Sequence, residues 1–357
     1  NYKGHEDAPG VPIITSENAE EVAANGCARS TVKETYEFIL GDLNKAIELL
    51  ANTKKTRSDK RYVSLDVAYG IRARVHLTMH NYADALKDAE AALASTSSVP
   101  YSSAAVSKPT FIDIEDASWM WGILITDKDR VSTTGICNFP SHMGSLNYGY
   151  ASVGGWRRIS PKLYNQIPES DVRKGWFLDD TGVSVNLPAA AQAYITKKGA
   201  PVYTQVKYGP MNDEWGSNNN ATDVILMRVE EMYLIKAEAR AMNNDVSGGV
   251  NTLNSFVNTY RDPSYKCTAT TGEAVQEAVW HQRRIEFWGE GLAYFDIMRL
   301  NKGVNRLGCG FPKTAVFNIA AGDPVQIYSI PNKEVQYNPL LENNPLVSAP
   351  TPIPDEE

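Results

Sequence analysis

Two stretches of this 357-residue chain, more than 150 residues apart, carry the same pairing of an aromatic ring with a small residue four positions later. The first is Tyr69 with Ala73, followed by a break at Asn81 and then by Tyr82, Ala85 and Ala92. The second is Tyr233 with Ala237, followed by a break at Asn243 and Asn244 and by a small residue at Gly249. Positions four apart share one face of an α-helix, so each stretch presents a ring beside a gap that a second helix can enter. Each therefore predicts a helical hairpin, and a hairpin alone cannot bury its apolar face. The chain is constrained to a scaffold of packed helices.

The offsets fit a tetratricopeptide unit, with Arg72 standing where a Leu is usual. Upstream, Thr31 to Leu50 opens with a Thr31/Glu34 capping box and runs apolar at Tyr36, Ile39, Leu40, Leu43, Ile47 and Leu50, a helical spacing. A basic loop, KKTRSDKR, leads to Ser64 as cap of the helix carrying Val67, Ile71 and Val75. Thr270 and Glu273 are read as the cap of the helix that holds HQRRIEFWGEGLAYFDIMR, residues 281–299. The fold class is mainly α: a tetratricopeptide-like helical scaffold with an irregular, loop-rich insert containing short strands. Residues 1–98 form a connector and the first helices, 99–222 the insert, 223–300 the second helical part and 301–357 an extended C-terminal segment, all within one domain.

Composition excludes several roles. The formal net charge of -7 argues against a broad phosphate-binding surface, so nucleic acid is not an expected partner. No apolar run approaches the roughly 20 residues that span a bilayer. The opening, NYKGHEDAPGVPIIT, has no starting Met and reads as a Pro/Gly connector, so any targeting segment is expected upstream. Cys27, Cys137, Cys267 and Cys309 form no CxxC pair, and disulfides are neither required nor forbidden.

The stretch 281–299 sets Arg283, Arg284 and Arg299 beside Glu286, Glu290 and Asp296, and so raises catalysis. Read as one helix, it projects Glu286 and Glu290 in parallel from one face. A glycosidase needs its carboxylates on opposite sides of the scissile bond, roughly 5–10 Å apart. The stretch is instead read as scaffold, with Arg284 and Glu290 meeting buried or semi-buried partners and Ile285, Trp288, Leu292 and Phe295 packing inward. Glu277/His281 and His76/His80 have i, i+4 spacing but no third metal ligand. GxSxG, the P-loop and GxGxxG are absent, so no enzyme activity, cofactor or metal site is expected.

The insert holds five of the seven tryptophans, which makes it the place to look for a binding surface. In NFPSHMGSLNYGYASVGGWRR, Asn147, Tyr148, Tyr150, Trp156 and Arg157 lie among glycines and serines; in NDEWGSNNN, Asp213, Trp215 and Asn218 do. Rings on loops stack on sugar C–H faces, while amides, carboxylates and guanidinium groups meet hydroxyls. These eight residues are the candidate ligand site. Core packing is the competing role for each ring, and it is the reading adopted for Trp119, Trp121 and Trp176.

Four segments together resemble one family. HQRRIEFWGEGLAYFDIMR is similar to the ERRxELxxEGxRxFDLxR helix of the SusD/RagB proteins, surface lipoproteins that capture nutrients for outer-membrane transporters in Bacteroidetes. VILMRVEEMYLIKAEA resembles their LRYAEVLLxxAEA helix, IPNKEVQYNPLLENNP their closing IPxxExxxNPxLxQNP, and ISPKLYNQIPESDVRKGWF their middle motif ending in D-x-R. The matches fall in the family's order and span nearly the whole chain.

The resemblance implies four tetratricopeptide units with an irregular lobe packed against them, no catalysis, and an oligosaccharide ligand delivered to a SusC-like TonB-dependent transporter. It implies a surface-exposed outer-membrane lipoprotein whose lipid anchor and helical front section precede residue 1. Peptide capture, as in RagB-like members, is the alternative; a tetratricopeptide adaptor for protein partners is a third reading. A peptide site would lean on backbone hydrogen bonds and charge, so the aromatic, Asn-rich insert favours sugar.

Overall fold

The computed structural model describes residues 2–53, 55–130, 132 and 138–355. Cys137 lies outside the described residues, and Cys27, Cys267 and Cys309 are free thiols. In chain order the helices are α1 (Ala19–Asn25), α2 (Val32–Asn52), α3 (Leu65–Thr78), α4 (Tyr82–Ser95), α5 (Ser103–Val106), α6 (Phe139–Met143), α7 (Pro161–Tyr164), α8 (Ala189–Lys197), α9 (Val229–Met242), α10 (Val246–Tyr260), α11 (Gly272–Glu286), α12 (Ala293–Arg299) and α13 (Asn332–Tyr337). Strands β1 (Trp119–Ile123) and β2 (Val224–Arg228) pair antiparallel, as do the two-residue strands β3 (Val304–Asn305) and β4 (Asn318–Ile319). The architecture is mainly helical. Among the described residues no helix is long and apolar enough to cross a membrane.

The helical hairpins form where the small residues predict them. Ala73, Ala85, Ala89 and Ala92 are fully buried where α3 meets α4, and the chain reverses at His80, whose φ is 62°. In the α9–α10 hairpin a Cβ added at Gly249 would lie 2.7 Å from Ala241 Cβ and 2.8 Å from the Ala237 carbonyl, so only glycine allows this approach. Helix α4 also packs on α9, joining both hairpins through a core that includes Val67, Leu77, Met120, Met227, Met232 and Ile235. Arg72 departs from the usual Leu because it forms a forked pair with buried Asp88, Nε to Oδ2 and Nη2 to Oδ1 both 2.7 Å.

Helix α2 has the expected capping box, with Thr31 Oγ1 accepting from the Glu34 amide at 3.1 Å and Glu34 Oε2 accepting from the Thr31 amide at 2.8 Å. Two start signals differ from expectation. Ser64 precedes α3, but its hydroxyl donates to Asp66 rather than capping. Helix α11 is capped one residue later than read, by Thr271, whose Oγ1 accepts from the Ala274 amide.

The stretch 281–299 is not one helix. It ends α11 at Glu286, turns through Gly289 and Gly291, both with φ of 81°, and restarts as α12 at Ala293. Glu286 and Glu290 nevertheless converge on Arg228, because the turn folds Glu290 back toward the core. Glu290 accepts from Lys207 Nζ at 2.5 Å and from Arg228 Nη2 at 2.9 Å, the buried pairing that was expected of it. Arg284 corrects its half of that expectation: among the described residues it has no carboxylate partner and stacks over Trp280, 4.9 Å from the ring centre. Arg283 is the paired one, with Nε 2.7 Å from Asp296. Phe295 is also corrected, being 60% exposed on α12 instead of packed inward.

Three of the four family-like segments meet in one buried ionic cluster. Asp171 holds Arg173, which reaches Glu286; Glu286 also accepts from Arg228 and Arg261; Glu230 pairs with both of those arginines; and Glu290 joins Arg228 to Lys207. Four positive groups face four negative ones, so the cluster is neutral. That balance is what lets eight charges stay out of water.

Candidate functional site

The candidate residues sit on two loops that hydrogen bond to each other. The Gly216 amide donates to the Leu146 carbonyl at 2.8 Å and the Tyr148 amide donates to the Ser217 carbonyl at 2.7 Å, which ties 146–148 to 216–217. Gly216 has a φ of 82° and lies so close to the Tyr194 ring that a Cβ would sit 2.6 Å from it. Beneath the loops, Leu146, Leu178, Ala191, Ile195 and Val206 form a small core, and Trp156 and Trp215 both pack their inner faces on it. Loops this rich in glycine hold their shape here through the core and the cross-loop amides.

Above that platform two rings stand out. Tyr148 is 48% exposed and Tyr150 43% exposed. Lys198, just past α8, places its Nζ 5.5 Å from the Tyr148 ring centre and 5.7 Å from that of Tyr194. The His142 ring lies 4.8 Å from the Tyr150 ring at 31°, and Arg157 covers Tyr150 at 5.8 Å while its Nη2 lies 3.4 Å from His142 Nδ1. Each exposed tyrosine thus has a cation beside it, and such contacts hold an aromatic face in one orientation.

The eight candidates divide by position. Tyr148, Tyr150, Trp156, Arg157 and Trp215 contribute half-exposed rings or a guanidinium to this surface, and Asp213 and Asn218 are exposed on the second loop, where Asp213 adopts a left-handed φ of 56°. Asn147 is different. It is buried, its side-chain Nδ2 donates to Asn220 Oδ1, and its main-chain carbonyl accepts from Tyr194 Oη at 3.2 Å. The side chain braces the two loops and presents nothing outward, which corrects its expected place among ligand contacts. Trp119 and Trp176 are fully buried and Trp121 packs against the helical core, as expected.

Next to the platform lies a cleft of about 760 Å³ that sequence reasoning missed. Trp156, Arg157, Arg158, Trp288, Gly289, Cys309, Gly310 and Phe311 are among the residues that line it. Trp288 belongs to the segment read as scaffold only, and Phe311 to the C-terminal segment; neither neighbourhood suggests the other, because more than 20 residues separate them. Among the described residues no group of three or more His, Cys, Asp or Glu is placed to hold a metal ion.

The family model described as "SusD family" matches residues 173–346, and one described as "Starch-binding associating with outer membrane" matches residues 2–77. Among solved structures, a SusD-like carbohydrate binding protein from Bacteroides vulgatus is similar with a TM-score of 0.75 and 23% identity, over 95% of this chain and 71% of that one. A SusD superfamily protein from Bacteroides thetaiotaomicron matches with a TM-score of 0.77 and 23% identity, over 97% and 73%. One from Parabacteroides distasonis matches with a TM-score of 0.68 and 17% identity, over 96% and 75%. No curated protein matches in sequence.

Proposed function

The chain belongs to the SusD family, and from that premise we propose that it is a surface nutrient-binding protein that captures an oligosaccharide at the outer membrane and passes it to a SusC-like TonB-dependent transporter. The observation that carries the ligand reading is the pair of exposed rings, Tyr148 and Tyr150, each flanked by a cation and raised on a platform that also orients Trp156 and Trp215. Flat rings at a fixed height suit the C–H faces of sugar rings, and Arg157, Asp213 and Asn218 supply polar partners at the edge for hydroxyl groups. The role is binding without bond breaking. A SusD-like relative of the same fold described as carbohydrate binding supports this reading, as does the outer-membrane association in the description of the family model that matches residues 2–77. The lipid anchor and the transporter partner belong to the same proposal.

Isothermal titration against a panel of oligosaccharides tests it. Tyr148→Ala and Tyr150→Ala, both at exposed positions, are each expected to weaken binding by about 1 kcal/mol or more, on the order of tenfold at the upper end. Unchanged affinity in both folded variants would sink the site assignment, and co-purification of a peptide with no sugar bound would turn the reading to peptide capture.

A further inference from the structure

The cleft beside the platform has a charge the chain as a whole does not. Its walls carry two arginines, Arg157 and Arg158, and no carboxylate, in a chain whose formal net charge is -7. The buried arginines of this fold are paired: Arg173, Arg228, Arg261, Arg283 and Arg299 all meet carboxylates. Arg157, half-buried, and Arg158, exposed at the cleft, do not. Among the described residues neither has an ion-pair partner: the Arg157 guanidinium lies over the Tyr150 ring with Nη2 3.4 Å from His142 Nδ1, and Arg158 Nε donates a hydrogen bond of 3.0 Å to the Val202 carbonyl.

Those contacts leave Arg157 Nε and Nη1 and both terminal nitrogens of Arg158 as uncommitted donors. In the same cleft, Trp288 and Phe311 add rings to the one provided by Trp156. Two open guanidinium forks among three aromatic rings match a molecule with flat apolar faces and a planar or tetrahedral anion, because a guanidinium binds an oxyanion in a forked, charge-assisted way.

We infer that this cleft takes an anionic sugar residue, one bearing a carboxylate or a sulfate ester, with Arg157 and Arg158 on the anion and Trp156, Trp288 and Phe311 on the ring faces. The inference rests on the oligosaccharide reading above and narrows its substrate class to acidic glycans. Trp156 and Arg157 face both the platform and the cleft, so a chain lying across Tyr148 and Tyr150 can send a charged residue into it.

The experiment is binding of the whole chain to an array of oligosaccharides in matched sets: uronate-bearing members with their carboxyl-reduced counterparts, and sulfated members with their desulfated counterparts. The expected result is binding confined to charged members, weakened at least about tenfold by the double variant Arg157→Met/Arg158→Met and by raised ionic strength. Loss on carboxyl reduction identifies a uronate and loss on desulfation a sulfate ester. Circular dichroism establishes that the double variant is folded. Equal binding to charged and neutral members would overturn the inference while leaving the glycan reading in place; so would charged-member binding that the double variant leaves unchanged. Binding to no oligosaccharide would overturn both.

Discussion

Arg261 and Glu286 face each other in a two-pronged ion pair wholly shielded from water, Nε to Oε2 and Nη2 to Oε1 both at 2.8 Å, with both side chains 0% exposed. Glu286 does not belong to Arg261 alone. It also accepts from Arg228 at 3.1 Å and from Arg173 at 3.3 Å, so one carboxylate neutralises charge from three parts of the chain.

Glu286→Gln should therefore strand cationic charge in the core. Burial alone would push the Glu286 carboxyl up, but Arg261, Arg228 and Arg173 hold it well below the usual range. Losing one partner of a buried network costs about 3–5 kcal/mol, whereas removing the exposed Lys45–Glu48 pair should change stability by less than about 1 kcal/mol. Urea unfolding of Glu286→Gln and Lys45→Ala makes the comparison, and equal small losses would refute the network's importance.

Lys207 gives a pH signature. Its ammonium lies against Phe111 and Trp176, and burial pulls its pKa down to about 8 even though Glu290 opposes the shift. An unfolded lysine titrates at about 10.4. Between those values the unfolded chain keeps a proton that the folded chain has released, so this group makes stability rise with pH, by up to about 1.4 kcal/mol per unit. Lys207→Met lacks the group. The stability of the wild-type chain relative to Lys207→Met should increase from pH 7.5 to pH 10 in urea unfolding; a flat or falling difference would contradict the assignment.

Gly289 and Gly291 separate backbone strain from crowding. Both have a φ of 81°, which costs an L-residue about 1–2 kcal/mol. A Cβ at Gly291 meets nothing within 4 Å, but at Gly289 it would lie 2.7 Å from Met143 Cε and 2.9 Å from Tyr208 Oη. Thermal unfolding should show Gly289→Ala more destabilised than Gly291→Ala by about 1 kcal/mol or more. Equal losses would mean that Met143 and Tyr208 yield freely.

Arg72 can be returned to the residue usual in such hairpins. Arg72→Leu leaves buried Asp88 without its fork and should cost about 3 kcal/mol, and Arg72→Leu/Asp88→Leu should recover most of it. Chemical denaturation of the two variants decides. A double variant as unstable as the single would show that the site tolerates no apolar pair.

What the sequence determined by itself was local. The ring-and-small-residue spacing at Tyr69/Ala73 and Tyr233/Ala237, the Thr31/Glu34 box and the breaks at Asn81 and Asn243 place the hairpins, because helix geometry reads residues three or four apart. Four ordered segments carried the family. Loop composition identified the exposed rings at Tyr148 and Tyr150, but it could not distinguish Asn147, which braces the loops, from Asn218, which faces outward, since burial depends on what folds over a residue. Tertiary structure alone decided the rest. Glycines at 289 and 291 break a stretch whose pattern reads as one helix, and that turn carries Glu290 to Arg228 and Trp288 to the cleft that Trp156 and Phe311 also line. Arg173, Arg228 and Arg261 find a common carboxylate in Glu286 across 25 to 113 positions of sequence, and no periodicity records a contact made only when distant segments close on one another.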